Sequence, residues 1–197
     1  MMHVVAKSWR PLALGFAAAV LCGASAMAQG KSLAERAQLC AACHGDDGNS
    51  RTENVPSLAG QPEFYLLQQL VLMREGVRNA GAMTPLINDL KDEELEKFAK
   101  HFAALPAKPS DEAIDPNLVR HGTAIAASRR CGSCHLPNLS GQQQIPRIAK
   151  QRVDYLIATL KSYRDSLRPG ADTAMSANIA GATDVDITAL AHYAASL

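Results

Sequence analysis

Cys40-Ala41-Ala42-Cys43-His44 is followed, 91 residues on, by Cys131-Gly132-Ser133-Cys134-His135. The recurrence extends beyond the cysteines. Val55-Pro56-Ser57-Leu58-Ala59-Gly60-Gln61 aligns with Ile145-Pro146-Arg147-Ile148-Ala149-Lys150-Gln151 at an offset of 90, and Tyr65-Leu66 aligns with Tyr155-Leu156 at the same offset. Met83 aligns with Met175 at an offset of 92, and Phe98–Leu105 with Leu190–Leu197. An ordered series at nearly constant spacing marks an internal duplication. A period of about 90 residues is too long for a solenoid unit and suits two tandem small domains, each large enough to close a core around a cofactor.

Each half reads as three main helices separated by loops. The first runs from about Ser32 into the cysteine motif, and its counterpart starts near Asp115-Pro116, an N-cap and N1 pair. The second begins near Pro62 and near Arg152, with apolar residues at helical spacing (Phe64, Leu67, Leu70, Val71, and Val153, Leu156, Ile157, Leu160). The third runs from about Asp92 to Leu105 and, capped by Thr183, to Leu197. No alternating strand pattern stands out, so the expected fold is all-α. The expected domains are 29–105 and 113–197, joined by a proline-containing linker at 106–112.

Cys-x-x-Cys-His is the attachment signature of c-type haem. Cysteines three apart on a helical turn share a face, so both thiols reach the vinyl groups on one porphyrin edge, and the next residue binds iron from the proximal side. The alternatives are a thioredoxin-like redox pair, which belongs beside a βαβ pattern, and a zinc site, for which the two cysteine pairs would have to converge. Neither suits an all-α duplicate. Cys40, Cys43, Cys131 and Cys134 are therefore expected to hold two covalent haem c groups, with His44 and His135 as axial ligands.

A haem that only moves electrons takes a sixth ligand, and the donor should sit at matching positions in the two halves. Met83 lies 39 residues after His44, and Met175 lies 40 residues after His135. Thioether ligation raises the reduction potential. Met73 aligns with Tyr163 and reads as core filler; His101, His121 and His192 have no histidine at the equivalent position. Pro56 and Pro146 follow their histidines by 12 and 11 residues, and their carbonyls are placed to accept the imidazole Nδ1 proton. Arg78 and Arg168 also match and are candidates to partner haem propionates, as are Gln61, Gln151, Tyr65 and Tyr155.

The 197-residue chain is 47% hydrophobic with a formal net charge of +1 and no basic stripe, which argues against a nucleic-acid partner. Residues 1–28 read as a cleaved signal peptide: Lys7 and Arg10 precede an apolar run, and Ala26-Met27-Ala28 has the form of a cleavage site. The run is shorter than the roughly 20 residues a membrane-spanning helix needs, and Leu21 before Cys22 does not fit a lipid attachment signal. The chain is therefore expected to be exported. Residues 29–106 carry 8 basic and 11 acidic side chains, a net charge of −3; residues 107–197 carry 10 and 8, a net charge of +2.

The whole pattern resembles the cytochrome c4 family, the two-haem members of the class I cytochromes c. The resemblance rests on Cys40–His44 with Gly45, on Pro56–Gln61, Tyr65–Arg78, Met83 and the linker, and on the same series repeated through Ala191-His192-Tyr193-Ala194-Ala195-Ser196-Leu197. It implies two class I haem domains related by a pseudo-twofold, with His/Met ligation and propionates facing the interdomain surface. It also implies a periplasmic carrier, loosely held at the inner membrane, that moves electrons from a quinol-oxidising complex or a dehydrogenase toward terminal oxidases. There are departures. Gly45-Asp46-Asp47-Gly48 stands opposite Leu136-Pro137-Asn138-Leu139, His101 opposite Tyr193, and Gly122 opposite Lys31.

The residues favour an electron carrier independently of the resemblance, because two six-coordinate irons leave no position for substrate and no nucleophile–base constellation is visible. The alternative is the cytochrome subunit of a dehydrogenase, such as a flavin-dependent sulfide dehydrogenase. A catalytic haem with a thiolate ligand would need a spare cysteine, and none remains after residue 28.

Overall fold

The structure is a computed structural model that describes residues 1–3, 32–79, 81–170 and 172–197. Two units separate, residues 1–30 and 31–197. In the first, only residues 1–3 are described, exposed and outside any helix; the signal-peptide reading otherwise lies outside the described residues. The second unit contains both halves of the repeat. It is helical, with one isolated bridge between Gln142 and Ile145 and no strand among the described residues.

In the first half, α1 (Leu33–His44) starts from a capping box: the Glu35 backbone N–H donates to Ser32 Oγ, and the Ser32 N–H donates to Glu35 Oε2 at 2.7 Å. It is followed by α2 (Glu63–Arg74), a 3₁₀ turn at Gly81–Met83, α3 (Thr84–Ile87) and α4 (Asp92–Ala103). Leu66 of α2 and Leu95, Phe98, Ala99 and Phe102 of α4 close the core with Ile87 and Leu90. Burying one such large side chain is worth about 1.5–3 kcal/mol.

In the second half, α5 (Pro116–Ser128) begins at the expected cap, where Asp115 Oδ1 accepts the Asn117 N–H at 2.7 Å. It does not run into the cysteine motif as α1 does. Cys40 lies eight positions after Ser32, but Cys131 lies sixteen after Asp115. The longer segment ends at Ser128, turns through Arg130 in a left-handed conformation (φ 56°), and resumes as the single turn α6 (Gly132–His135). Next come α7 (Val153–Arg164), α8 (Thr173–Ile179) and α9 (Asp184–Ala195). Thr183 caps α9 as expected, accepting the Asp186 N–H. Two apolar clusters flank α9, one around Leu156 and Ala191 and one around Ile179 and Ile187.

The departure after the histidines alters side chains while keeping the backbone. Gly45 has φ 84° and ψ 147°, and Leu136, its counterpart, has φ 68° and ψ 157°. Gly48 and Leu139 match in the same way, at φ 72° and 54°. The Gly48 carbonyl accepts the N–H groups of Leu58 and Ala59, and the Leu139 carbonyl accepts those of Ile148 and Ala149. Both turns therefore bring the proline segment back over the histidine.

The segment between the halves is fastened at both ends. Asn49 bonds the Pro106 carbonyl and the Lys108 N–H, and Lys108 Nζ pairs with Asp47 at 2.7 Å. Asp111 pairs with Arg152, and the Glu112 carboxylate accepts the N–H groups of Val153 and Asp154, capping α7. Among the described residues no helix is long and apolar enough to cross a membrane.

Candidate haem sites

His44 ends α1 and His135 ends α6, and both rings are buried. The His44 Nδ1–H donates to the Pro56 carbonyl at 2.8 Å, and the His135 Nδ1–H donates to the Pro146 carbonyl at 2.9 Å. Burial pushes both imidazoles below the usual histidine range, against the opposing pull of the proline carbonyls. A neutral ring whose Nδ1 keeps its proton leaves the Nε2 lone pair for a metal.

Cys40 and Cys131 are half-buried, Cys43 and Cys134 are exposed, and none of the four is in a disulfide. Burial pushes the Cys40 and Cys131 thiols up, the opposite of what a reactive redox pair needs. Among the described residues no three His, Cys, Asp or Glu side chains gather into a cation site, so the cysteine pairs do not converge as a zinc centre would require.

One cavity of about 660 Å³ runs through both halves, lined by both cysteine pairs, both histidines, Met83 and Met175. Its walls are largely apolar, with Leu58, Leu66 and Phe98 in the first half and Leu139, Leu156 and Leu160 in the second. Met83 closes the 3₁₀ turn before α3. Met175 lies within α8, where Asp172 Oδ1 accepts its N–H and that of Ala174. These methionine segments are short helices where the sequence suggested loops. Met73 also lines the cavity, with Tyr163 at its repeat position.

The rival histidines lie elsewhere. His101 packs edge-on against Phe102, His121 Nε2 is 3.9 Å from Asp186, and His192 Nδ1 accepts the Asp115 N–H; none lines the cavity. Arg78, Arg168, Tyr65, Tyr155, Gln61 and Gln151 all do. Arg78 donates to Gln69 Oε1 at 2.7 Å, and Arg168 stacks on the Tyr163 ring 5.1 Å from its centroid. Burial, helped by the neighbouring Tyr155, raises the Tyr65 phenol. At Tyr155 burial is outweighed by the Arg78 and Arg168 guanidinium groups, which lower it. The two tyrosines and two arginines thus form one cluster across the seam between halves, and its positive charge suits the carboxylates of a haem.

Sequence reasoning missed Arg147. Its side chain is 5% exposed, donates to the Ala149 and Ala59 carbonyls, and leaves Nε without a partner. Burial lowers it to about 10. Its repeat position holds Ser57, so composition gave no signal. Taken together, two cysteines and a histidine lining the cavity, the histidine Nδ1–H bonded to a proline carbonyl, a thioether in the same cavity and apolar walls fit a covalently held haem in each half.

A family model described as "Cytochrome C oxidase, cbb3-type, subunit III" matches residues 25–101. Cytochrome c4 of Pseudomonas aeruginosa is 36% identical over 169 residues, which cover 80% of this chain and 83% of that protein. The chain belongs to the cytochrome c4 family. The crystal structure of reduced recombinant cytochrome c4 from Pseudomonas stutzeri matches with a TM-score of 0.75 and 32% identity, over 85% of this chain and 99% of that one. The "Thiosulfate dehydrogenase electron acceptor" of Stutzerimonas stutzeri is 31% identical over 173 residues, 82% of this chain and 80% of that protein. Like the cytochrome c4 family as a whole, this chain binds two covalent haem c groups and is built from two tandem class I cytochrome c domains.

Proposed function

We propose that the protein is a periplasmic electron carrier that accepts electrons from a quinol-oxidising complex or a dehydrogenase and passes them toward terminal oxidases. The single observation that carries this reading is the cavity shared by both sets of donor residues. Two redox centres within one such cavity exchange electrons without either leaving the protein. Haem, when bound, supplies a reversible one-electron couple at each site. Cys40 and Cys43, and Cys131 and Cys134, would hold the two groups, and His44 with Met83, and His135 with Met175, would ligate the irons. Irons ligated in this way would leave no site for a substrate, which suits a carrier rather than an enzyme. Arg78 and Arg168, together with Tyr65 and Tyr155, would pair with the propionates.

On this reading residues 1–28 are removed on export, and domains 29–105 and 113–197 act as one body held at the seam, with peripheral rather than integral membrane association. The net charge of −3 over residues 29–106 and of +2 over residues 107–197 orients the molecule toward partners of different charge.

A second reading, as the acceptor for one particular dehydrogenase, is favoured by the likeness to the thiosulfate dehydrogenase electron acceptor. Stopped-flow reduction of the holoprotein separates the two. Rapid, saturable reduction by membranes carrying a quinol-oxidising complex supports the general carrier. Rapid reduction only by thiosulfate with its dehydrogenase supports the dedicated acceptor. Turnover of thiosulfate by the protein alone would sink the carrier reading.

A further inference from the structure

The peptide group that orients each proximal histidine is also gripped from the other half. The Pro56 carbonyl accepts the His44 Nδ1–H at 2.8 Å. The N–H of that same peptide group, on Ser57, donates to Gln151 Oε1 at 2.8 Å, and Gln151 Nε2 donates back to the Ser57 carbonyl at 2.9 Å. The second half repeats the arrangement in mirror. The Pro146 carbonyl accepts the His135 Nδ1–H at 2.9 Å, the Arg147 N–H donates to Gln61 Oε1 at 2.9 Å, and Gln61 Nε2 donates to the Arg147 carbonyl at 2.8 Å. Gln61 and Gln151 are repeat equivalents, and so are Ser57 and Arg147. Both glutamines are buried, at 5% and 2% exposure.

We propose that Gln61 and Gln151 are positioning residues that act across the seam, each setting the electron-donating strength of the axial histidine in the opposite half. The proposal rests on His44 and His135 being iron ligands. Hydrogen-bonded amides in series polarise one another, more strongly where water is excluded. A glutamine oxygen that accepts the Ser57 N–H draws electron density through the peptide group onto the Pro56 oxygen. That oxygen then accepts the His44 Nδ1 proton more strongly, and the imidazole becomes a better donor to iron. A better donor favours the ferric state and lowers the reduction potential. Each half therefore tunes the other's haem.

A plain interdomain clamp predicts something different. Loosening it would disturb both haems alike, or neither. The crossed register, from glutamine in one half to histidine in the other through one peptide group, makes the two accounts separable.

The test uses holoprotein Gln151→Met and Gln61→Met, with potentials followed at each haem separately by NMR redox titration of resonances assigned through the His44 and His135 rings. Gln151→Met should raise the potential of the His44 haem and leave the other unchanged, and Gln61→Met should do the reverse. Deuterium exchange of the His44 Nδ1 proton should quicken in Gln151→Met. Equal shifts at both haems, shifts confined to the substituted half, or no shift would overturn the proposal. If Gln151→Met fails to assemble, Gln151→Glu supplies the opposite sign. A full negative acceptor on the Ser57 N–H should lower the His44 haem more than the His135 haem, and an equal or reversed effect would count against the crossed path. Hyperfine-shifted ring protons from both histidines in the ferric wild type test the ligand assignment separately. Their absence removes that assignment and the proposal with it, whereas their presence with uncrossed shifts removes only the action across the seam.

Discussion

Gly122 of α5 and Ala189 of α9 meet backbone to backbone. A Cβ added at Gly122 would fall far inside contact distance of the Ala189 carbonyl oxygen, 2.6 Å from its carbonyl carbon and 2.7 Å from Tyr193 Cβ. The atoms in the way are backbone and Cβ, which have no rotamer through which to withdraw. Gly122→Ala should therefore force α5 off α9, at a cost of about 2–3 kcal/mol despite alanine's better helix propensity. Chemical denaturation of the holoprotein would show this as a lower midpoint at unchanged slope. An unchanged midpoint would mean that the helices part without cost.

Ser166 lies just beyond α7 in a Schellman arrangement: its N–H bonds the Tyr163 carbonyl, the Leu167 N–H bonds the Ser162 carbonyl, and its φ is 56°. Gly76 occupies the matching place after α2, with φ 69°. A side chain in left-handed backbone costs about 1–2 kcal/mol, and the exposed Ser166 hydroxyl offers little in return. Ser166→Gly should raise stability by about 1 kcal/mol, read as a higher melting temperature with an unchanged haem spectrum.

The candidate haem donors stood out because their information is local or repeated. The spacing of Cys40, Cys43 and His44 is itself the chemistry, and Pro56 lies close enough along the chain for its carbonyl to be anticipated as the histidine's partner. The cap at Asp115 and the all-α character followed from similarly short-range signals. What escaped depends on how the halves dock. Gln61 and Gln151 stood out as a matched pair, but nothing in the repeat says that each reaches the other half's backbone. Arg147 differs from its counterpart Ser57 and had no pattern to expose it. The break at Arg130 escaped because matching the motifs hid the longer stretch between Asp115 and Cys131. The turn at Leu136 shows the converse: the residues differ from Gly45–Gly48, while the surrounding hydrogen bonds hold the glycine-like backbone with a leucine in it.

The linker's attachment to the first half should respond to acid. The Lys108 ammonium, with help from the Asn49 N–H, holds the Asp47 carboxylate down at about 2, from an ordinary value of 3.8. A carboxylate depressed by folding contributes stability at neutral pH. That contribution is fully present above the unfolded value and is lost as pH falls from about 4 toward 2. Both side chains are substantially exposed, at 41% and 58%, so the effect is small and screened by salt. Asp47→Asn should be slightly less stable than wild type at pH 6, and the gap should close by pH 2 and shrink at high salt. A gap that persisted at pH 2 would place the role of Asp47 in its hydrogen bonds to the Asn49 segment rather than in its charge.

The candidate axial methionines give the most direct check on the haem sites. Met83 and Met175 sit at equivalent places in the repeat and line the same cavity as the histidines, but their backbones are held differently. Met175 is anchored by Asp172 at the start of α8, whereas Met83 ends a 3₁₀ turn. A thioether bound to ferric iron gives a weak near-infrared charge-transfer band, so each single Met→Ala substitution should remove about half of it and open one iron to added ligands. Met→His should keep six-coordination, replace a soft donor with a harder one, and lower the potential of that haem alone. Met73 supplies the control, since it packs against the same core as Met83. Met73→Leu should leave the band intact. If Met83→Ala leaves the band and the first potential untouched while Met73→Leu removes half of it, Met73 is the ligand of the first haem. The duplication would then hold for the histidines and break at the sixth position.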